Sequence, residues 1–196
     1  MVSEVQGGKN GLRATCSSLR LAVNDCTSAL AWTWPRGLDG GPVLHAHLPA
    51  TLTGACPGIK LLDCCGPGPG AILEFDFESC PLSLHTLICG YTHLRLLGPL
   101  AVKCTMLQTF KCYNTEVAEL GPLSACTMLQ TLDCSATRVT HLGPLSACTM
   151  LQTLDCMCCM QVTQLGPLSA CMKLQNFNCS GGSVADLGPL SACTML

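Results

Sequence analysis

The chain has 196 residues, 48% of them hydrophobic and only 11% charged, with a formal net charge of −2. That balance excludes the basic footprint of a nucleic-acid-binding protein. No apolar run reaches the ~18 residues of a spanning helix, and Met1 to Leu21 holds no continuous apolar segment, so neither a membrane span nor a secretory signal is expected.

Residues 1–11 are polar and Gly-rich and read as a disordered tail. Beyond them Leu12, Cys16, Leu19 and Val23 fall at helical spacing, with Arg13 and Arg20 among them, which predicts a helix. Residues 27–55 hold Trp32, Trp34, Pro35 and the Gly-rich Arg36–Pro42; the tryptophans are expected to pack on whatever follows. His45 and His47 alternate as on a strand, and two histidines without a third partner read as surface or core residues, not metal ligands. Gly66-Pro-Gly-Pro-Gly70 lacks the Gly-Lys-Ser/Thr ending of a phosphate loop, so no nucleotide cofactor is expected there.

From residue 56 the chain repeats itself. Leu120 to Cys134 reads LGPLSACTMLQTLDC, and the same residues return at Leu142 to Cys156. Looser copies start at Leu97, Leu165 and Leu187, giving spacings of 22 or 23 residues. A decayed copy covers Cys56 to Cys64. Within one period, Leu129, Leu132, Cys134, Thr137, Val139, Leu142 and Leu145 follow the pattern L-x-x-L-x-C-x-x-T-x-V-x-x-L-x-x-L. The same register holds from Leu84, Leu107 and Leu174, while the copy at Leu151 carries one extra residue that displaces Val162. Leu132 and Cys134 are two apart, so they share one face of a short strand, with Thr131, Asp133 and Ser135 on the other. Gly143-Pro144 then ends the extended run and opens a short helix or 3₁₀ turn. One unit cannot bury its own leucines; a stack can.

The pattern resembles the leucine-rich repeat. The resemblance implies an α/β horseshoe solenoid, with a parallel sheet on the concave face and short helices or 3₁₀ turns on the convex one. Cys replaces Leu in the strand, and Thr, Cys or Gly stands where that family carries Asn. The chain divides into a tail (1–11), a helical N-terminal cap (12–55) and repeats (56–196), the last copy breaking off at Leu196 with an apolar end face expected.

The cysteines sort with the repeat. Cys64, Cys89, Cys112, Cys134, Cys156 and Cys179 take the inward strand position, while Cys56, Cys104, Cys126, Cys148, Cys171 and Cys193 sit three before the first leucine of each copy. Buried Cys acts as a small hydrophobe, so these read as reduced core thiols of a cytoplasmic or nuclear protein. Cys156-Met-Cys-Cys159 has zinc-like density but splits between core and loop, so no metal is expected. Asn178-Cys-Ser180 matches a glycosylation acceptor but falls on a strand. No nucleophile–base constellation is visible, so no enzyme is expected.

Solenoids bind through their concave face. The variable outward positions are Tyr91, Lys111, Tyr113, Asn114, Asp133, Asp155, Met157 and Asn178, with Tyr91 and Tyr113 as anchor candidates because Tyr is enriched at interface hot spots. Asp133 and Asp155 take the same place in adjacent copies. Such a like-charge pair either meets a basic residue of a partner or is a solvated remnant of duplication.

The stretch Leu12-Arg-Ala-Thr-Cys-Ser-Ser-Leu-Arg-Leu-Ala-Val23, ahead of these repeats, is similar to the second helix of an F-box. That resemblance implies docking of a Skp-type adaptor of cullin-RING ubiquitin ligases on Leu12, Arg13, Cys16, Leu19, Arg20 and Val23. The Leu-Pro and acidic first half of an F-box is absent, and a helix capping the solenoid fits the same residues. The functional expectations are therefore a protein-binding substrate-recognition subunit, a free-standing scaffold resembling the repeat regulators of phosphatases, or a duplicated fragment without function. Neither nucleic acid nor membrane is an expected partner.

Overall fold

The computed structural model describes residues 60–63, 65 and 83–196 with their side chains, and six further strands by their backbone. In chain order the strands are β1 (Val5–Gly8), β2 (Gly11–Cys16), β3 (Leu19–Asn24), β4 (Ala29–Thr33), β5 (Leu44–Ala46), β6 (Leu61–Asp63), β7 (Leu73–Phe75), β8 (Thr86–Ile88), β9 (Thr109–Lys111), β10 (Thr131–Asp133), β11 (Thr153–Asp155) and β12 (Asn176–Asn178). Cys56, Cys64, Trp34, His47 and Gly66 to Gly70 lie outside the described residues.

The expected solenoid is present. Strands β6, β8, β9, β10, β11 and β12 pair in parallel, each with the next turn. The register places Leu62, Leu87, Phe110, Leu132, Leu154 and Phe177 side by side. Each strand is three residues long because its middle residue alone must face the core. The pairing continues past the strand ends: the Cys112 amide donates to the Asp133 carbonyl and the Cys134 amide to the Asp155 carbonyl.

Gly-Pro then turns the chain. Pro122 has no amide to lose at a helix start, and Gly121–Ala125 closes as a 3₁₀ turn with the Cys126 amide donating to the Leu123 carbonyl. Gly143–Ala147, Gly166–Ala170 and Gly188–Ala192 repeat it. The first copy has one more residue between its Leu-Gly-Pro and its Cys, and there the turn widens to a short α-helix, Leu100–Lys103. Ser124, Ser146 and Ser169 bond back three residues, as Ser146 Oγ does to the Gly143 carbonyl, so they serve the turn.

The core is one continuous column of leucines and thiols. Leu107, Phe110, Cys112, Val117, Leu120 and Leu123 are fully buried, as are their counterparts in the next two turns, displaced Val162 included. In the last turn Phe177, Cys179, Val184 and Leu190 are partly buried and Leu187 is 57% exposed.

The described members of both cysteine sets are inward, Cys179 less completely than the others, and no disulfide joins the described cysteines. The second set stitches the turns together. The Cys148 thiol donates to the Leu123 carbonyl at 3.4 Å, Cys171 to Leu145 at 3.4 Å, and Cys193 to Leu168 at 3.4 Å. Burial raises these thiols: Cys126 and Cys171 to about 11, Cys148 to about 12. At the place of the family's Asn, the hydroxyls of Thr92, Thr115 and Thr137 donate to the carbonyl of the Cys three residues earlier, at 2.6 to 2.7 Å. These hydroxyls tighten their own turn; backbone amides and thiols join one turn to the next.

The N-terminal segment departs from expectation. Leu12, Arg13 and Cys16 lie on β2 and Leu19, Arg20 and Val23 on β3, and these strands are antiparallel, with Cys16 opposite Leu19. Val5–Gly8, expected in a tail, pairs antiparallel with β2. β4 then pairs with β3 antiparallel and with β6 in parallel, so a β-meander replaces the expected helical cap. The sequence permits this because Leu12, Ala14, Cys16 and Leu19, Leu21, Val23 also recur every second residue, the strand period.

Candidate protein-binding face

Four columns of side chains run across the concave side. Thr86, Thr109, Thr131, Thr153 and Asn176 form the first, and Ile88, Lys111, Asp133, Asp155 and Asn178 the second. Gly90, Tyr113, Ser135, Met157 and Ser180 come next in the sequence of each turn, then Tyr91, Asn114, Ala136, Cys158 and Gly181. The last set shares one backbone state: φ is 54° at Tyr91, 52° at Asn114, 52° at Ala136, 58° at Cys158 and 69° at Gly181. This left-handed residue ends each strand and suits Asn or Gly far better than Tyr.

The acidic pair is where the sequence places it, on adjacent strands, yet each carboxylate has a local task. Asp133 Oδ1 accepts from the Ser135 amide at 3.1 Å and the Ser135 hydroxyl at 2.6 Å. Asp155 Oδ1 accepts from the Met157 amide at 2.9 Å, and Asn178 Oδ1 from the Ser180 amide at 3.0 Å. These are Asx turns, which close the strand end. Asp155 Oδ2 also accepts from Asn178 Nδ2 at 3.1 Å. Lys111 lies opposite Asp133 in the register, so a cation and an amide bracket the two acids. The Asp-x-Ser spacing was a legible sign of this turn.

The tyrosines are joined. Their rings meet edge to face, with centroids 5.4 Å apart and planes at 87°. The Tyr113 ring leans back over Gly90, where an added Cβ would come within 2.4 Å of it. Its hydroxyl reaches the Cys65 sulfur at 3.2 Å, two turns away. Burial first, then the Cys65 contact, pushes the phenol's titration upward. Tyr113 is therefore a strut across three turns as well as a surface residue. Neither Cys65 nor Gly90 was identified from the sequence, since nothing local marks a contact spanning 48 residues.

Asn114 and Met157 are exposed, Met157 by 40%. Cys156 is buried, Cys158 exposed and Cys159 buried, and among the described residues no three His, Cys, Asp or Glu side chains are grouped to hold a metal ion. On the rim, Glu116 meets Arg95 at 2.9 Å, His93 at 3.4 Å and Arg138 at 3.9 Å, and His141 meets Glu119 at 3.2 Å. These pairs link neighbouring turns at the surface and contribute little to stability.

No protein-family model matches the sequence, and no curated protein matches it. Its structure is similar to leucine-rich-repeat proteins. An internalin, InlF, from Listeria monocytogenes aligns with a TM-score of 0.66 at 20% identity, over 82% of this chain and 45% of that one. A leucine-rich-repeat protein of Leptospira interrogans aligns with a TM-score of 0.60 at 15% identity, over 74% of this chain and 37% of that one. The Arabidopsis receptor kinase HAESA, solved with a peptide hormone and a co-receptor, aligns with a TM-score of 0.61 at 15% identity, over 86% of this chain and 29% of that one. The chain thus spans less than half the length of each.

Proposed function

We propose that the chain binds a protein partner across the concave sheet between Ile88 and Asn178, and acts by binding and not by catalysis. The distribution of chemistry among the turns carries this reading. The inward and convex columns hardly change from copy to copy. The second concave column runs through Ile, Lys, Asp, Asp and Asn, and the next through Gly, Tyr, Ser, Met and Ser. A face that varies on an unvarying frame is the arrangement by which repeat proteins acquire specificity. HAESA, a fold neighbour, was solved with a peptide hormone and a co-receptor.

Lys111, Tyr113, Asp133 and Asp155 form the centre, where the bracketed acids suit a basic or amide-rich partner segment. Of the finer readings, a free-standing scaffold is favoured over an F-box subunit: a Skp-type adaptor docks on a helix, and β2 and β3 occupy Leu12 to Val23.

A photo-crosslinking residue at Met157, compared with one at Ser146 on the convex side, tests the reading. A partner captured in cells from Met157 and lost in Asp133→Lys/Asp155→Lys supports it. Equal capture from both positions, or indifference to the charge reversal, contradicts it. A parallel pull-down with a Skp-type adaptor is expected to be negative.

A further inference from the structure

The middle of the concave face carries charge that the fold does not use. Lys111, Asp133 and Asp155 stand in successive turns, all half-buried, and the register sets each directly beside the next. Asp133 and Asp155 close their Asx turns through Oδ1 alone, and Asn178 closes the same turn onto the Ser180 amide with a neutral side chain. The turn therefore needs the oxygen and not the negative charge. Among the described residues Asp133 Oδ2 accepts no hydrogen bond, and the Lys111 ammonium, although beside Asp133, forms neither a hydrogen bond nor an ion pair. Asp155 Oδ2 takes only the Asn178 amide, at 3.1 Å. One positive and two negative groups, partly withdrawn from water, thus remain in a fixed order along a line.

We propose that this line receives an α-helix of the partner, lying across the turns, with an acidic residue at i over Lys111 and basic residues at i+3 and i+7 over Asp133 and Asp155. The inference rests on the concave-face reading and adds the shape and the charge order of what binds there. Spacing selects the helix. Paired strands lie about 4.8 Å apart, so Asp133 is one step of about 4.8 Å from Lys111 and Asp155 is two, about 9.6 Å. A helix rises about 1.5 Å per residue, which places i+3 about 4.5 Å and i+7 about 10.5 Å from i, each within about 1 Å of its target. An extended segment sets same-face side chains about 6.7 Å apart, reaches about 13 Å after two of them, and overshoots Asp155.

The occupied oxygens also fix the kind of contact. Asp133 Oδ1 already accepts twice, from the Ser135 amide and hydroxyl, so a forked two-oxygen grip by arginine has no room there. A lysine ammonium, a compact point charge, needs Oδ2 alone. Specificity comes from the order of the signs. A helix with the opposite order would set a cation over Lys111 and an anion over each aspartate, and like charges brought together in a partly desolvated interface are strongly rejected. Apolar residues flanking the charged line on the helix cover the Tyr113 ring and Met157, which border it on the strand-end side.

The test uses the whole chain and a fluorescent alanine-based helical peptide of about 20 residues, carrying Glu at i, Lys at i+3 and i+7, and Leu at i+4. Fluorescence anisotropy at low ionic strength is expected to show binding at least about tenfold tighter than that of the sign-inverted peptide, Lys at i with Glu at i+3 and i+7. Asp133→Asn/Asp155→Asn keeps the oxygens that close the turns, so it is expected to retain the native circular dichroism and lose this preference. Lys111→Glu is expected to favour a peptide with Lys at all three places. Absence of binding by the helical peptide, equal binding of the two sign orders, or a preference that survives the double Asn variant would overturn the proposal. An extended Val/Thr-rich peptide with the same charges on alternate residues that bound as tightly would also overturn the helix. It would leave the concave face standing as the binding side, which capture from Met157 reads separately.

Discussion

Gly90→Ala probes the strut formed by Tyr113. Gly90 is buried, and its backbone lies outside the left-handed region, so alanine suits the chain itself. The obstacle is the ring: the new Cβ would lie 2.4 Å from Tyr113 Cε2 and Cζ and 2.8 Å from Cδ2. The ring must swing away. It then forfeits the edge-to-face contact with Tyr91, about 0.5–1.5 kcal/mol, and the hydroxyl contact with Cys65, about 0.5–1.5 kcal/mol. Together these cost about 1–3 kcal/mol, offset by about 0.4–1 kcal/mol from the lower entropy of the unfolded chain. In Tyr113→Ala the three atoms nearest the methyl group are gone, so there the second substitution should be neutral or stabilising by that last amount. A double-mutant cycle from urea unfolding followed by circular dichroism is expected to give a coupling of about 1–3 kcal/mol. The Tyr113 phenol should also titrate nearer its ordinary 10.0 in Gly90→Ala. Equal destabilisation by Gly90→Ala in both backgrounds would refute the strut.

Leu132→Asp places a charge without a partner in a fully buried position and should unfold the stack, a loss of cooperative melting checked by calorimetry. Ala136→Gly relieves a left-handed residue at φ 52° and should raise stability by up to about 1 kcal/mol in urea titrations. Stability should fall with rising pH. Cys126 and Cys171 are raised from 9.0 to about 11 and Cys148 to about 12, so from about pH 9 upward the unfolded chain loses thiol protons that the folded chain keeps. Fewer protons bound by the unfolded state means a negative slope, about 1.4 kcal/mol per pH unit for each thiol. Urea midpoints between pH 8 and 10.5 measure the slope, which should be shallower in Cys148→Ala.

The solenoid was legible because its evidence is repeated. Leu129, Leu132, Cys134 and Val139 recur in one register, and each return tests the same inward assignment. The segment from Leu12 to Val23 has no second copy, and its apolar residues satisfy the helical and strand periods together. Pairing with β1 and β4 decides between them, and pairing is not local. The candidate face was read in outline for the same reason as the core: strand alternation sends Lys111, Asp133 and Asp155 outward. What each side chain does there was less visible. Asp133 spends an oxygen on Ser135, which the Asp-x-Ser spacing announces. Tyr113 spends its ring on Gly90 and its hydroxyl on Cys65, contacts set by how successive turns stack. Cys159 reaches the previous turn, whereas the threonines at its position bond within their own, and the letter at one position does not reveal that change of partner.

The sidedness of the turns, on which the binding face depends, is tested most directly by alkylating the cysteines of the reduced native chain and locating the label by mass spectrometry. Cys158 is exposed while Cys156 and Cys159 on either side are buried, and Cys112, Cys126, Cys134, Cys148 and Cys171 are buried with them. Rapid labelling of Cys158, with those seven protected until denaturant is added, is the predicted result. Labelling of Cys156 and Cys134 as fast as Cys158 would contradict the inward column and, with it, the concave face.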